Sequence, residues 1–179
     1  MKKTYLLTPG PTPLPESVVS VFAQPIVHHR TPEFEKIFGQ VKDDLKFLFQ
    51  TRQDVLILAA TGTGAMDAAV SNLFRKGETV ITINGGKFGD RWTQIAKAYG
   101  LSPVEIKLEA GAAVEPQQLD AVVHQNASAK AILFQASETS TGVMMPTREI
   151  CQIARKAGML TICDAITACG VFDLPMDEW

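Results

Sequence analysis

Apolar and polar positions change rhythm once along the chain, near residue 55. Before it, Phe34, Ile37, Phe38, Val41, Leu45, Leu48 and Phe49 recur at helical spacing and share one stripe, which predicts a long amphipathic helix. That helix opens at Thr31-Pro32, a hydroxyl cap followed by proline at the first helical position. Upstream, Pro9, Pro11, Pro13 and Pro15 with Gly10 predict a stiff extended segment, and residues 16–23 a short helix. After residue 55, short apolar runs alternate with amphipathic ones. Strands are expected at 55–60, 79–84, 131–135 and 159–163, with a weaker one where Val104, Ile106 and Leu108 alternate. Helices are expected at 64–74, from about 90 to 99, at 116–125 and at 147–157, with Gly100 and Gly158 closing two of them. Nearly continuous apolar strands spaced by helices predict an α/β fold, a mostly parallel sheet covered by helices on both faces. The organisation expected is an extended segment over 1–30 and one domain over 31–179.

The chain's 179 residues are enough for one domain with a sizeable core. A net charge of −2 gives no electrostatic case for nucleic acid or an anionic membrane surface. No apolar run reaches bilayer-spanning length, and Lys2 and Lys3 precede no signal-peptide core, so a cytoplasmic location is expected. Cys151, Cys163 and Cys169 are odd in number and lack paired spacing, which argues against a disulfide framework or a zinc site. Cys163 and Cys169 lie in apolar surroundings and read as small core residues. His28, His29 and His124 do not combine with them, so no metal site is expected, and His28-His29-Arg30 reads as a solvated polar turn.

In a parallel sheet, ligands bind beyond the carboxyl ends of the strands, which singles out residues 61–64, 85–89, 136–142 and 164–170. The stretch Ala59-Ala60-Thr61-Gly62-Thr63-Gly64-Ala65 leads from an apolar run into a helix. Free N–H groups and two hydroxyls at the positive end of a helix dipole suit a phosphate; a plain strand-to-helix turn with a threonine cap is the competing reading. Asp164 ends an apolar strand, so its carboxylate needs a partner: a backbone N–H of the next turn, or a cationic ligand nitrogen. The loop Ser137-Glu138-Thr139-Ser140-Thr141-Gly142 sets four hydroxyls beside one carboxylate. Phe88 offers either a stacking face or an ordinary core aromatic. One loop suited to phosphate and another to a protonated ring nitrogen, at one sheet edge, point to pyridoxal phosphate.

The same residues carry a resemblance. Leu7-Thr8-Pro9-Gly10-Pro11-Thr12-Pro13, His28-His29-Arg30-Thr31-Pro32-Glu33-Phe34, Thr61-Gly62-Thr63-Gly64-Ala65-Met66-Asp67-Ala68, Gly85-Gly86-Lys87-Phe88-Gly89, Glu138-Thr139-Ser140-Thr141-Gly142-Val143 and Cys163-Asp164-Ala165 follow one another in order. In these the chain resembles the class V aminotransferases of the fold-type I pyridoxal phosphate enzymes, and among them the serine–pyruvate / alanine–glyoxylate aminotransferase group. The resemblance implies the large domain of that fold, incomplete at its C-terminus, with pyridoxal 5'-phosphate as cofactor. It implies Thr61, Gly62 and Thr63 on the phosphate, Phe88 (where the group often has tryptophan) stacked on the pyridine, and Thr139 at the ring hydroxyl. Asp164 would pair with the pyridine nitrogen, and Gly10 with its neighbours would line the substrate carboxylate pocket. It also implies a homodimer with active sites at the subunit interface, moving an amino group from a small amino acid of alanine or serine type to a 2-oxo acid such as glyoxylate or pyruvate.

Two parts of the family pattern are missing. The family's Schiff-base lysine lies on a strand beyond the one ending in Asp164, and no lysine of this chain matches it; the smaller C-terminal domain is absent too. The expectation is an N-terminal portion, inactive by itself. Alternatives are a lysine-less relative that binds cofactor or partner without chemistry, and another class V enzyme of cysteine desulfurase or phosphonate aminotransferase type. A dinucleotide-binding domain is a third: Gly62-Thr63-Gly64-Ala65-Met66-Asp67 half-matches that fingerprint, but Asp67 stands where glycine or alanine is wanted.

Overall fold

The computed structural model describes residues 5–179. Residues 1–4, the start of the expected extended segment and the place of Lys2 and Lys3, lie outside the described residues. The chain forms two compact units, Met1–Val55 and Leu56–Trp179.

In the first unit the proline-rich stretch enters no helix or strand, and two helices follow, α1 (Glu16–Phe22) and α2 (Pro32–Phe49). Thr31 caps α2: its Oγ1 accepts from the Phe34 N–H at 3.3 Å and donates to the His28 carbonyl at 2.8 Å. Glu33 and Glu35 in the first turn and Lys46 in the last complement the helix dipole. Gln50, at φ 50°, ends the helix in the left-handed region. The Phe34 and Phe38 rings stack at 5.9 Å, yet no residue of α2 is fully buried. Because the cap holds a first-turn N–H that has no intrahelical partner, Thr31→Ala is expected to cost about 1 kcal/mol. A urea midpoint equal to that of the unmodified chain would contradict this.

The second unit runs α3 (Gly62–Leu73), β1 (Thr79–Asn84), α4 (Lys87–Ala98), β2 (Ser102–Lys107), α5 (Pro116–Gln125) and β3 (Ala131–Gln135). It continues with β4 (Ser137–Glu138), β5 (Val143–Met144), α6 (Thr147–Lys156) and β6 (Leu160–Asp164). Four strands form one sheet in the order β2-β1-β3-β6, every pair parallel. Alternate residues face opposite sides. Ile81, Ile83, Ile132 and Phe134 meet Leu119 and Val123 of α5 and Ile150 and Ala154 of α6. Val80, Ala131 and Leu133 meet Met66 and Val70 of α3 and Trp92 and Ala96 of α4. The step β1–α4–β2 runs one way along the sheet; β2–α5–β3 and β3–α6–β6 run the other way with their helices on the opposite face. Right-handed crossovers require that alternation. The direction reverses between β1 and β3, and at such a point a doubly wound sheet opens a crevice for ligands.

Four local expectations are corrected. Residues 55–60 enter no sheet: with no hydrogen-bonded neighbour the run cannot be a strand, and Leu56, Ile57 and Leu58 are 83%, 47% and 53% exposed. Helix α3 starts at Gly62, two residues early, because Thr61 is the cap: its Oγ1 accepts from the Gly64 N–H at 3.3 Å. The expected long loop after β3 contains a small hairpin, β4 against β5, with Glu138 opposite Val143. Cys163 is exposed and Cys169 half-buried, while Cys151 is the buried cysteine. Cys163 lies on β6, the outer strand of the sheet, and lacks the covering that the inner strands have.

Candidate functional site

Helix α4 begins at Lys87, three residues before the position its own sequence indicates, and Gly86 before it provides no capping side chain. The caps come from the β4–β5 hairpin. Glu138, fully buried, accepts from the Gly89 N–H at 2.8 Å through Oε2 and from the Phe88 N–H at 3.3 Å through Oε1. Ser140 accepts from the Lys87 N–H at 3.0 Å and donates its hydroxyl to Glu138 Oε1 at 2.6 Å; its N–H reaches the same oxygen at 3.1 Å. All three first-turn N–H groups of α4 are thus satisfied by a carboxylate and a hydroxyl about fifty positions further along the chain. Glycines make room: a Cβ on Gly86 would lie 2.8 Å from Glu138 Cγ, and one on Gly89 2.7 Å from the Ile83 carbonyl oxygen. The one carboxylate of the polar loop 137–142 is thus turned onto the start of α4. Glu138 is spent on holding α4, and with it Phe88, against the carboxyl edge of the sheet.

Around that clamp the structure brings together six of the residues singled out from sequence. Thr61, Gly62 and Thr63 form the cap and first turn of α3. A Cβ on Gly62 would lie 3.1 Å from Ile166 Cδ1, so the start of α3 abuts the loop that follows Asp164. Asp164 ends β6, half-buried, and its Oδ1 accepts from the Ile166 N–H at 3.0 Å. The backbone partner anticipated for the carboxylate is therefore present on one oxygen; Oδ2 accepts nothing among the described residues. Thr139 Oγ1 lies 2.9 Å from Thr167 Oγ1, tying the loop after β3 to the loop after β6. Phe88, half-buried on the first turn of α4, carries the Arg91 guanidinium over its ring at 5.0 Å from the centroid. Arg91 Nη1 in turn donates to Thr63 Oγ1 at 2.7 Å. Gly10 belongs to the first unit and is exposed.

Three residues of the neighbourhood were not singled out from sequence as site residues. Glu138 was visible only as one member of a polar loop, though it is that loop's sole carboxylate. Arg91 follows Phe88 by three residues, the spacing that brings two side chains together on a helix, once α4 is known to start at Lys87. Gln135 is 3% exposed, pairs in register with Asp164 across β3 and β6, and its Nε2 has no hydrogen-bond partner among the described residues. Gln135 thus brings a buried amide donor without a described partner to the strand end beside Asp164. Among the described residues no three His, Cys, Asp or Glu side chains come together where a metal ion could sit, and no helix is long and apolar enough to cross a membrane.

Comparison with known proteins identifies a family and a fold. The family model described as Aminotransferase class-V matches residues 4–179. A protein of Synechococcus named "Soluble hydrogenase, small subunit" is 41% identical over 99% of this chain and 47% of its own length. The crystal structure of an aspartate aminotransferase of subgroup IV from Thermus thermophilus shares 30% identity with a TM-score of 0.91, covering 98% of this chain and 49% of that one. That of an alanine–glyoxylate aminotransferase from Nostoc shares 26% with a TM-score of 0.91, covering 97% and 46%. The chain spans about half the length of the curated relatives it matches. On the extent of the family match, the chain belongs to the class V aminotransferase family.

Proposed function

We propose that this chain supplies the cofactor cradle of an aminotransferase that uses pyridoxal 5'-phosphate. In its complete form the protein would move an amino group from a small amino acid, of alanine or serine type, to a 2-oxo acid such as glyoxylate or pyruvate. The observation that carries the reading is the convergence of Thr61–Thr63, Phe88, Thr139 and Asp164 at one sheet edge through Ile166, Thr167 and Arg91. The relatives support the reaction class, and the names of the two solved structures differ in amino donor, so the donor rests on the resemblance alone.

The donor set fits the cofactor. A phosphate suits the start of α3, where the Gly62 and Thr63 N–H groups lie too early in the helix for intrahelical partners and two threonine hydroxyls flank them. Phe88 offers a ring face, and the vacant Oδ2 of Asp164 suits a protonated ring nitrogen. When bound, pyridoxal phosphate acts as the electron sink for a substrate Cα–H bond. Asp164 keeps a proton on the ring nitrogen, Phe88 fixes the ring plane, Thr139 orients the ring hydroxyl, and α3 anchors the phosphate. The homodimer common in this family would complete the site.

Lys76, Lys87, Lys97, Lys107, Lys130 and Lys156 of the second unit are all exposed. None belongs to the contact chain just described, so the chain by itself is expected to bind the cofactor without transferring an amino group. The test is an absorption spectrum with pyridoxal phosphate before and after borohydride reduction. Saturable binding that reduction fails to fix is the expected result. Covalent fixation to one specific lysine would overturn the lysine assignment, and no saturable binding would overturn the cofactor reading.

A further inference from the structure

We infer that Arg91 is the cationic anchor of the phosphate subsite, a binding residue that discriminates phosphorylated from unphosphorylated ligands. The inference rests on the proposed function, which places a phosphate at the start of α3. Its own basis is electrostatic. Arg91 reaches from α4 to donate Nη1–H to Thr63 Oγ1 at 2.7 Å, which puts a guanidinium at the second residue of α3. That end of a 12-residue helix is already positive, so an added cation there is repelled by the dipole. Among the described residues Arg91 forms no ion pair. The first turn of α3 has no acidic residue to answer it either. A half-buried cation held against the positive end of a helix, in no described ion pair, is placed where a bound anion would be stabilised by both.

The side chain is also held in place before any ligand arrives. Its guanidinium rests on the Phe88 ring, and one of its five N–H donors is used on Thr63. Four donors remain in a planar fork, the geometry that matches two oxygens of a phosphate. Arg91 therefore joins two ends of the cradle: it steadies the ring of Phe88 and presents positive charge beside the Gly62 and Thr63 N–H groups. A phosphate dianion is the ligand group that this combination favours.

The experiment titrates the full chain with pyridoxal 5'-phosphate and, separately, with pyridoxal, which lacks the phosphate, following ligand absorbance. Three proteins are compared: unmodified, Arg91→Met and Arg91→Lys. Arg91→Met keeps the apolar stem and removes the charge, and it is expected to weaken the phosphorylated ligand at least about tenfold while leaving pyridoxal within about twofold. Arg91→Lys should recover part of the loss, because the charge returns without the fork. A proportional loss for both ligands, or no loss for either, would overturn the assignment while leaving the cofactor reading intact. An unmodified chain that binds pyridoxal as well as its phosphate would overturn both. If Arg91→Met does not fold, Arg91→Lys decides alone: an unchanged preference for the phosphorylated ligand at high salt and low salt alike would count against Arg91.

Discussion

Glu138→Ala is expected to destabilise the second unit by on the order of 3–5 kcal/mol, the largest loss from any single polar side chain there. The carboxylate is fully buried and accepts from Phe88, Gly89 and twice from Ser140, so its removal strands donors that water cannot easily reach. Glu138→Gln should cost less, because an amide oxygen still accepts from one side while the amide nitrogen opposes a donor. The measurement is urea unfolding followed by the fluorescence of Trp92, a residue 1% exposed on the helix that the clamp holds. Pairing Glu138→Ala with Ser140→Ala should give less than the sum of the single losses, since both act on one network. Additive losses would mean that the two residues cap α4 independently, and an unchanged midpoint in Glu138→Ala would refute the clamp.

Gly89→Ala should also destabilise, although a glycine in a helix normally gains about 1 kcal/mol from that change. At Gly89 a Cβ would meet the Ile83 carbonyl oxygen at 2.7 Å and Asn84 Cα at 2.8 Å. Both are backbone atoms of a central, buried strand, so the helix must move instead, and it cannot do so without opening the bonds to Glu138. Overpacking of this kind costs about 1–3 kcal/mol and here outweighs the propensity gain. Gly39 in α2 is the control, because nothing lies within 4 Å of a Cβ built there. Gly39→Ala is expected to raise stability by roughly 0.5–1 kcal/mol. The same substitution should thus change sign between the two helices. Stabilisation by Gly89→Ala would contradict the close approach of α4 to β1.

The parts of the fold that sequence made plain are those whose determinants are local. Helix α5 spans Pro116–Gln125 and β3 spans Ala131–Gln135, as the apolar rhythm and the proline at the first helical position indicate. Residues whose structure depends on distant parts of the chain were not legible. Helix α4 starts early because its caps come from Glu138 and Ser140, and nothing near Gly86 announces this. The run at 55–60 has the composition of a strand, but strand formation requires a neighbour, which no composition specifies. The candidate site divides in the same way. Phe88, Thr139 and Asp164 stand out because they follow apolar strands of a parallel sheet, where loops converge, and Thr61 because its glycine-rich turn opens a helix. Arg91 reads as one more charged helix residue until α3 and α4 are placed side by side, and Gln135 as one more strand end until its register with Asp164 is known.

The clamp on α4 also dictates an order of events. Lys87, Phe88 and Gly89 wait for partners 53, 50 and 49 residues further on, with β2, α5 and β3 in between. During synthesis the helix that carries Phe88 therefore emerges with its first turn unsatisfied, and it can settle only after the Ser137–Glu138 strand has been added. Contacts of such separation are slow to form, because a long loop must close before they reward it. Glu138 should consequently behave as a late-forming residue. Its substitution is expected to accelerate unfolding far more than it slows folding, which makes this one carboxylate a latch on the lifetime of the native state.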